Sequence, residues 1–171
     1  VTYRVVALTE ADWRILRTIR LRALAESPSA FGSTLVEEES FGEERWRGRA
    51  AGTEGAQLFM AWSGDTAVGI AGVFDEGDGT AQVVSVWVDP VHRGRGVGRA
   101  LTEAALRFAT AQGFARMRLW VTDGNAPARS LYVRLGFTPT GNRQPLPSNP
   151  AMEEHELELM LSPGRGADGD T

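Results

Sequence analysis

The chain has 171 residues, 42% hydrophobic and 23% charged, the balance of one globular domain able to bury about 70% of its unfolded surface. Its net charge of −4 disfavours general nucleic-acid binding. With no cysteine and two histidines, His92 and His155, it lacks disulfides, thiolate metal sites and a cysteine acyl intermediate, and offers little for a histidine metal centre or triad.

In chain order, residues 2–8 predict a strand. Thr9 is placed to cap a helix over 10–26, with Ile15, Leu16, Ile19 and Ala23 on its apolar face and Arg14, Arg17 and Arg22 solvated off it. Ser27-Pro28-Ser29 ends that helix. Residues 30–40 read as a loop carrying Phe31 and the run Glu37-Glu38-Glu39, and 42–51 as a short second helix. Strands over 58–62 and 67–74 join through Ser63-Gly64-Asp65, a hairpin signal, and the turn from Asp75 to Gly79 leads into a strand over 81–88.

Beyond a glycine-rich turn, Val97, Leu101, Ala104, Ala105 and Phe108 share one face of a helix that Gly113 ends. A strand over 116–121 completes a right-handed parallel crossover. Asn125 caps the next helix, which tolerates Pro127 in its first turn and stops at Gly136. Strands over 137–142 and 154–161 close the domain around an irregular loop over 144–150, marked by Pro145, Pro147 and Pro150. One domain is expected over 1–161; residues 162–171, rich in glycine and acid without an apolar anchor, are expected to be a disordered tail. Val1 in place of an initiator methionine points to a trimmed start. No stretch reads as a signal peptide or membrane span, so the expected location is the cytoplasm.

The segment from Val83 to Leu101 carries the most information. A buried strand, a turn and a helix start aim free backbone N–H groups and the positive end of a helix dipole at one spot, which suits phosphate. Gly94, Gly96 and Gly98 allow close backbone approach, and Arg93, Arg95 and Arg99 supply matching charge. No lysine follows these glycines, and Gly-x-Gly-x-x-Gly fails at Arg99 and at Leu101, which excludes the Walker and dinucleotide loops. The bland alternative is a plain strand-to-helix turn with solvated arginines.

Arg93-x-x-Gly96-x-Gly98 resembles the coenzyme A pyrophosphate loop of the GNAT N-acetyltransferase superfamily, Gln/Arg-x-x-Gly-x-Gly/Ala. Asn125 to Phe137 is similar to that family's Asn-x-x-Ala-x-x-Leu-Tyr-x-x-x-Gly-Phe at every fixed position, through Ala128, Leu131, Tyr132 and Gly136. The resemblance covers about residues 57–161. It implies an α+β fold: a mixed, mostly antiparallel sheet of about seven strands with helices on both faces. It also implies acetyl-CoA as cosubstrate, without a metal. Its coenzyme contacts fall on Val86, Trp87, Val88, Arg93, Gly94, Arg95, Gly96, Val97, Gly98, Arg99, Asn125 and Tyr132. In the family, the strand end at 86–88 splays from its neighbour and binds the pantetheine and acyl oxygen through its backbone, so Trp87 is read as wall or core. Asn125 has the alternative reading of a simple N-cap.

Acyl transfer from a thioester to an amine needs a neutral nucleophile, a stabilised oxyanion and a proton for the thiolate. Tyr132 is the candidate general acid, with ring packing on the sheet as its alternative role. The base is open. Where some members carry a glutamate, this chain has Gln82; ordered water or one of Glu37, Glu38, Glu39, Asp75 and Glu76 could serve. Phe31, Glu37, Glu38 and Glu39 are candidates for the acceptor side, where carboxylates would favour a second positive charge, unless they are simply a solvated helix start. The expected activity is acetyl transfer to a primary amine, on a small molecule or a peptide, by direct attack in a ternary complex. A homodimer is compatible with it; nucleic-acid and membrane partners are not expected. The alternatives are a longer acyl-CoA donor and a non-catalytic CoA-binding sensor or regulatory domain.

Overall fold

The computed structural model describes residues 2–162. Seven strands form one sheet in the order β1-β2-β3-β4-β5-β7-β6. The strands are β1 (Tyr3–Ala7), β2 (Gln57–Ser63), β3 (Thr66–Gly77), β4 (Thr80–Val88), β5 (Arg116–Thr122), β6 (Thr138–Leu146) and β7 (Asn149–Met160). The helices are α1 (Trp13–Glu26), α2 (Leu35–Glu39), α3 (Glu43–Ala51), α4 (Val97–Ala111) and α5 (Ala126–Arg134). All strand pairs are antiparallel except β4 with β5, which α4 connects. The α+β architecture is the one the sequence implies.

Each face of the sheet carries its own apolar core. On one, Leu16, Ile19, Ala23 and Leu24 of α1 and Trp46 of α3 pack with Met60, Ile70 and Trp87. On the other, Val97, Leu101, Ala105 and Ala109 of α4 pack with Phe59, Val68, Val83, Met117 and Leu119, and Tyr132 and Phe137 join them. Packing of α4 is close enough that a methyl on Gly69 would lie 2.9 Å from Leu101 Cδ1.

Three local features differ from the sequence reading. Residues 35–39, expected as loop, form α2, started by a capping box in which the Glu37 N–H donates to Thr34 Oγ1 at 3.3 Å. The first helix begins as a 3-10 turn over Glu10–Asp12, with the Thr9 N–H donating to the Asp12 carboxylate at 2.8 Å. The expected irregular loop over 144–150 is mostly a hairpin: β6 runs to Leu146 and β7 resumes at Asn149. Pro145 fits there because β6 is an edge strand, where a missing N–H donor costs little, and Pro150 lies where β7 runs past its pairing with β5. Residues 163–171, most of the expected tail, lie outside the described residues.

Candidate active site

The parallel pair opens. Residues Thr80–Gln82 of β4 pair with Arg116–Arg118 of β5, and the two strands separate beyond that point. On the other side of β4, Gly72 pairs with Val84 and Ile70 with Trp87, so β4 carries one extra residue in a bulge. Ser85 sits in it at φ +60°, a conformation that side-chain-bearing residues rarely adopt. The bulge reverses the alternation of faces. Val83 packs on the α4 side, and after the bulge Val86 and Val88 do so again, while Trp87 enters the opposite core.

The opening is a narrow cleft, walled by Val84, Ser85 and Val86 on one side and Trp120 and Thr122 on the other, with Asn125 and Tyr132 closing it. Tyr132 is buried, its ring edge-on to Phe137 at 5.9 Å between centroids. Burial pushes its phenol well above the usual tyrosine value. Its hydroxyl has no hydrogen-bond partner among the described residues, so the proton is free for a group in the cleft. Asn125 both lines the cleft and caps α5, accepting from the Ala128 N–H at 3.3 Å.

Past the C-terminal end of β4, Asp89 Oδ1 accepts from the Val91 N–H at 3.1 Å, and a 3-10 turn over Pro90–His92 leads to the glycine-rich loop. Gly94 and Gly96 have φ of +71° and +86°, and a Cβ on either would meet only open space. The N–H groups of residues 94–98 find no acceptor among the described residues, and the last two, of Val97 and Gly98, open the first turn of α4. A run of free donors leading into a helix N-terminus suits a pyrophosphate. Arg93 is less free than its motif position suggests. Its Nε donates to the Val88 carbonyl at 2.9 Å and its Nη2 to Glu26 at 2.7 Å. Glu26 also accepts from Trp87 Nε1 at 2.9 Å. Burial raises the Glu26 carboxyl, but its bonds from Ser27, Trp87 and Arg93 outweigh that and hold it below its usual value. Trp87 is thus core, anchored at its indole.

On the acceptor side, the three glutamates separate. Glu37 takes part in the α2 cap and Glu39 is solvent-exposed, but Glu38 points inward and is 2% exposed. That corrects its expected position facing substrate. Arg20 Nε and Nη2 reach its carboxylate at 3.0 and 2.7 Å, Arg49 Nη1 at 3.0 Å, and the Ser33 hydroxyl also donates to it. Burial pushes its pKa up, yet these bonds prevail and bring it down to about 2, which makes Glu38 a poor base. Phe31 is buried beneath the Arg20 guanidinium, 4.3 Å from its ring centroid. Of the other carboxylates proposed as base, Asp75 accepts from the Gly77 N–H at 2.7 Å, and both it and Glu76 are exposed. Gln82 pairs with Phe74 and Arg118.

The sequence reading passed over Arg20 and Ser85. Arg20 stands four residues after Leu16 and three before Ala23, so its spacing already put it on the apolar face. No sequence signal marks Ser85. Asp123, Glu153 and His155 have ligand-type atoms within 4.8 Å of one another, but Arg143 pairs with Glu153 at 3.2 Å and already supplies a cation there. Among the described residues, no helix is long and apolar enough to cross a membrane.

A sheet split at its parallel pair, with a glycine-rich loop at one end and a buried phenol in the split, has the shape to take an extended phosphate-bearing ligand along one strand. The acetyltransferase (GNAT) family profile matches residues 19–137. The mycothiol acetyltransferase of Catenulispora acidiphila is 34% identical over 126 residues, 70% of this chain and 38% of that protein. That of Beutenbergia cavernae is 44% identical over 82 residues, 39% of this chain and 27% of that protein. The chain therefore spans less than half the length of these relatives. The fold matches a GNAT-family acetyltransferase from Streptococcus pneumoniae with a TM-score of 0.77 at 17% identity, covering 94% of this chain and all of that one. A putative acetyltransferase from Salmonella typhimurium, solved with acetyl-CoA, matches at TM-score 0.73 and 20% identity over 100% of this chain and 99% of its own. The chain belongs to the GNAT acetyltransferase family.

Proposed function

We propose that this chain is an N-acetyltransferase that moves an acetyl group from acetyl-CoA to a primary amine by direct attack in a ternary complex. The observation that carries the reading is Tyr132, buried, lining the β4–β5 cleft and with its hydroxyl unpartnered. With no cysteine in the chain, a cysteinyl acyl-enzyme is not available, and the amine nitrogen attacks the thioester carbonyl itself.

Three parts of the chain divide the work. The N–H groups of residues 94–98 bind the pyrophosphate. Backbone groups freed where β4 leaves β5 hold the pantetheine arm, and N–H groups at the bulge stabilise the negative charge that develops on the carbonyl oxygen. Tyr132 donates its proton to the departing sulfur, and the proton lost by the amine leaves through water or an acceptor-side carboxylate. The acceptor enters beside the exposed Glu37 and Glu39 of α2, with Phe31 buried below them as support.

The test is to incubate the protein with acetyl-CoA and a broad amine panel and follow free thiol. The chain contains no lysine, so side-chain self-acetylation adds no background. Release dependent on particular amines supports the reading. Binding of CoA without release for any amine would favour a sensor domain, and faster turnover with longer acyl-CoA would move the donor assignment.

A further inference from the structure

A second cavity lies beside the cleft and has Ser33, Thr34, Ser148 and Asn149 in its wall. Ser33 lines this cavity and Ser85 lines the cleft. Two buried side chains join them. Arg20 Nη1 donates to Ser85 Oγ at 2.7 Å. The same guanidinium grips Glu38 through Nε and Nη2 at 3.0 and 2.7 Å, and Glu38 accepts from the Ser33 hydroxyl. Arg20 is 5% exposed and Glu38 2%.

Such a chain has little slack. A buried guanidinium and carboxylate cannot release a partner without leaving an uncompensated polar group, so movement at one end is felt at the other. Ser85 also needs holding. Its φ of +60° is disfavoured for any residue with a side chain, and Arg20 is the one side chain bonded to it among the described residues.

We infer that Arg20 is a positioning residue: it clamps the β4 bulge in the conformation that presents its backbone to the cleft, and links that bulge through Glu38 to Ser33 in the wall of the second cavity. The linkage stands on the geometry alone. Its meaning, a bulge held in the geometry that acyl transfer needs, rests on the acetyl-transfer reading.

Ser85→Ala breaks the link and spares the Arg20–Glu38–Arg49 ion cluster, so the fold survives. Ser85→Gly also breaks it but adopts φ +60° without strain. Ser33→Ala cuts the other end. The first readout needs no activity: backbone amide resonances of residues 84–87 in the ligand-free protein. Ser33→Ala is expected to shift them, although those residues are some 50 positions away in the chain. The second readout is kinetic. Ser85→Ala is expected to lower kcat about tenfold with KM for acetyl-CoA changed less than twofold, and Ser85→Gly to recover part of that loss. A purely structural role would lower the melting temperature and leave kcat of the folded fraction alone. Unmoved resonances in Ser33→Ala, or wild-type kcat in Ser85→Ala, overturn the inference. If the wild type releases thiol with no amine, the acetyl-transfer reading fails while the resonances still decide the linkage.

Discussion

Tyr132→Phe removes one proton donor and little else. The hydroxyl bonds to no described residue, and the ring contact with Phe137 at 5.9 Å is kept, so stability should change by less than about 1 kcal/mol. The chemical loss follows from the leaving group. A thiol of pKa ~8.5 expelled unprotonated at pH 7 costs about 1.5 units, or ~2 kcal/mol, which is about thirtyfold in rate. The walls of the cleft raise that figure, because an unsolvated thiolate is costlier still. Burial has moved the phenol well above its usual value, so it stays protonated across the neutral range and adds no break to the pH profile there. The assay is single-turnover thiol release with acetyl-CoA and amine both saturating, beside calorimetric CoA affinity. A thirtyfold to thousandfold slower release with unchanged affinity is expected. A wild-type rate in the variant would refute the role of Tyr132 and reduce it to packing.

Gly96→Val forces a β-branched residue into φ +86° and puts bulk where a pyrophosphate would approach, so calorimetry should show CoA affinity falling more than about tenfold. Arg93→Ala removes a guanidinium now held by Glu26 and the Val88 carbonyl; CoA affinity should fall by ~1–3 kcal/mol, with a smaller loss at high salt. Glu38 is ionised in the fold down to about pH 2, against an ordinary value of 4.5. Its contribution, about 3 kcal/mol, is therefore fully present above pH 4.5 and lost as pH falls toward 2. Glu38→Gln should lower the urea midpoint at pH 7 and shrink its deficit from wild type in strong acid. Replacing exposed Glu37 and Glu39 by Gln should cut kcat/KM for a cationic amine by at most about thirtyfold at low salt and spare a neutral amine of similar shape.

The elements that position the cofactor side were legible because glycine, proline and apolar spacing act locally. Asn125, Pro127 and Gly136 fix both ends of α5 by a side-chain cap and backbone preferences that act within a few residues. Helix α2 was missed, its residues reading as part of a loop, because the run of acids around it hides the capping-box pair Thr34 and Glu37 that starts it. The β6–β7 hairpin was obscured because proline rules depend on whether a strand is central or edge, and strand order is a property of the whole sheet. Glu38 was misplaced for a related reason: its environment is set by Arg20 and Arg49, 18 and 11 residues away. The bulge at Ser85 is a register event between β3 and β4 and leaves no mark on the residue itself.

The outer strand β6 has a consequence for assembly. Nearly all its residues are exposed, yet its rim makes a poor template for another strand. Pro139 and Pro145 offer no N–H, the register with β7 breaks between Pro139 and Arg143, and Gly141 turns through φ +91°. Arg143 adds charge within the strand. These are the devices that keep an open sheet from polymerising. A second copy cannot extend the sheet continuously along β6, so a dimer would have to meet through helices, a sheet face or the five-residue strand at the opposite rim.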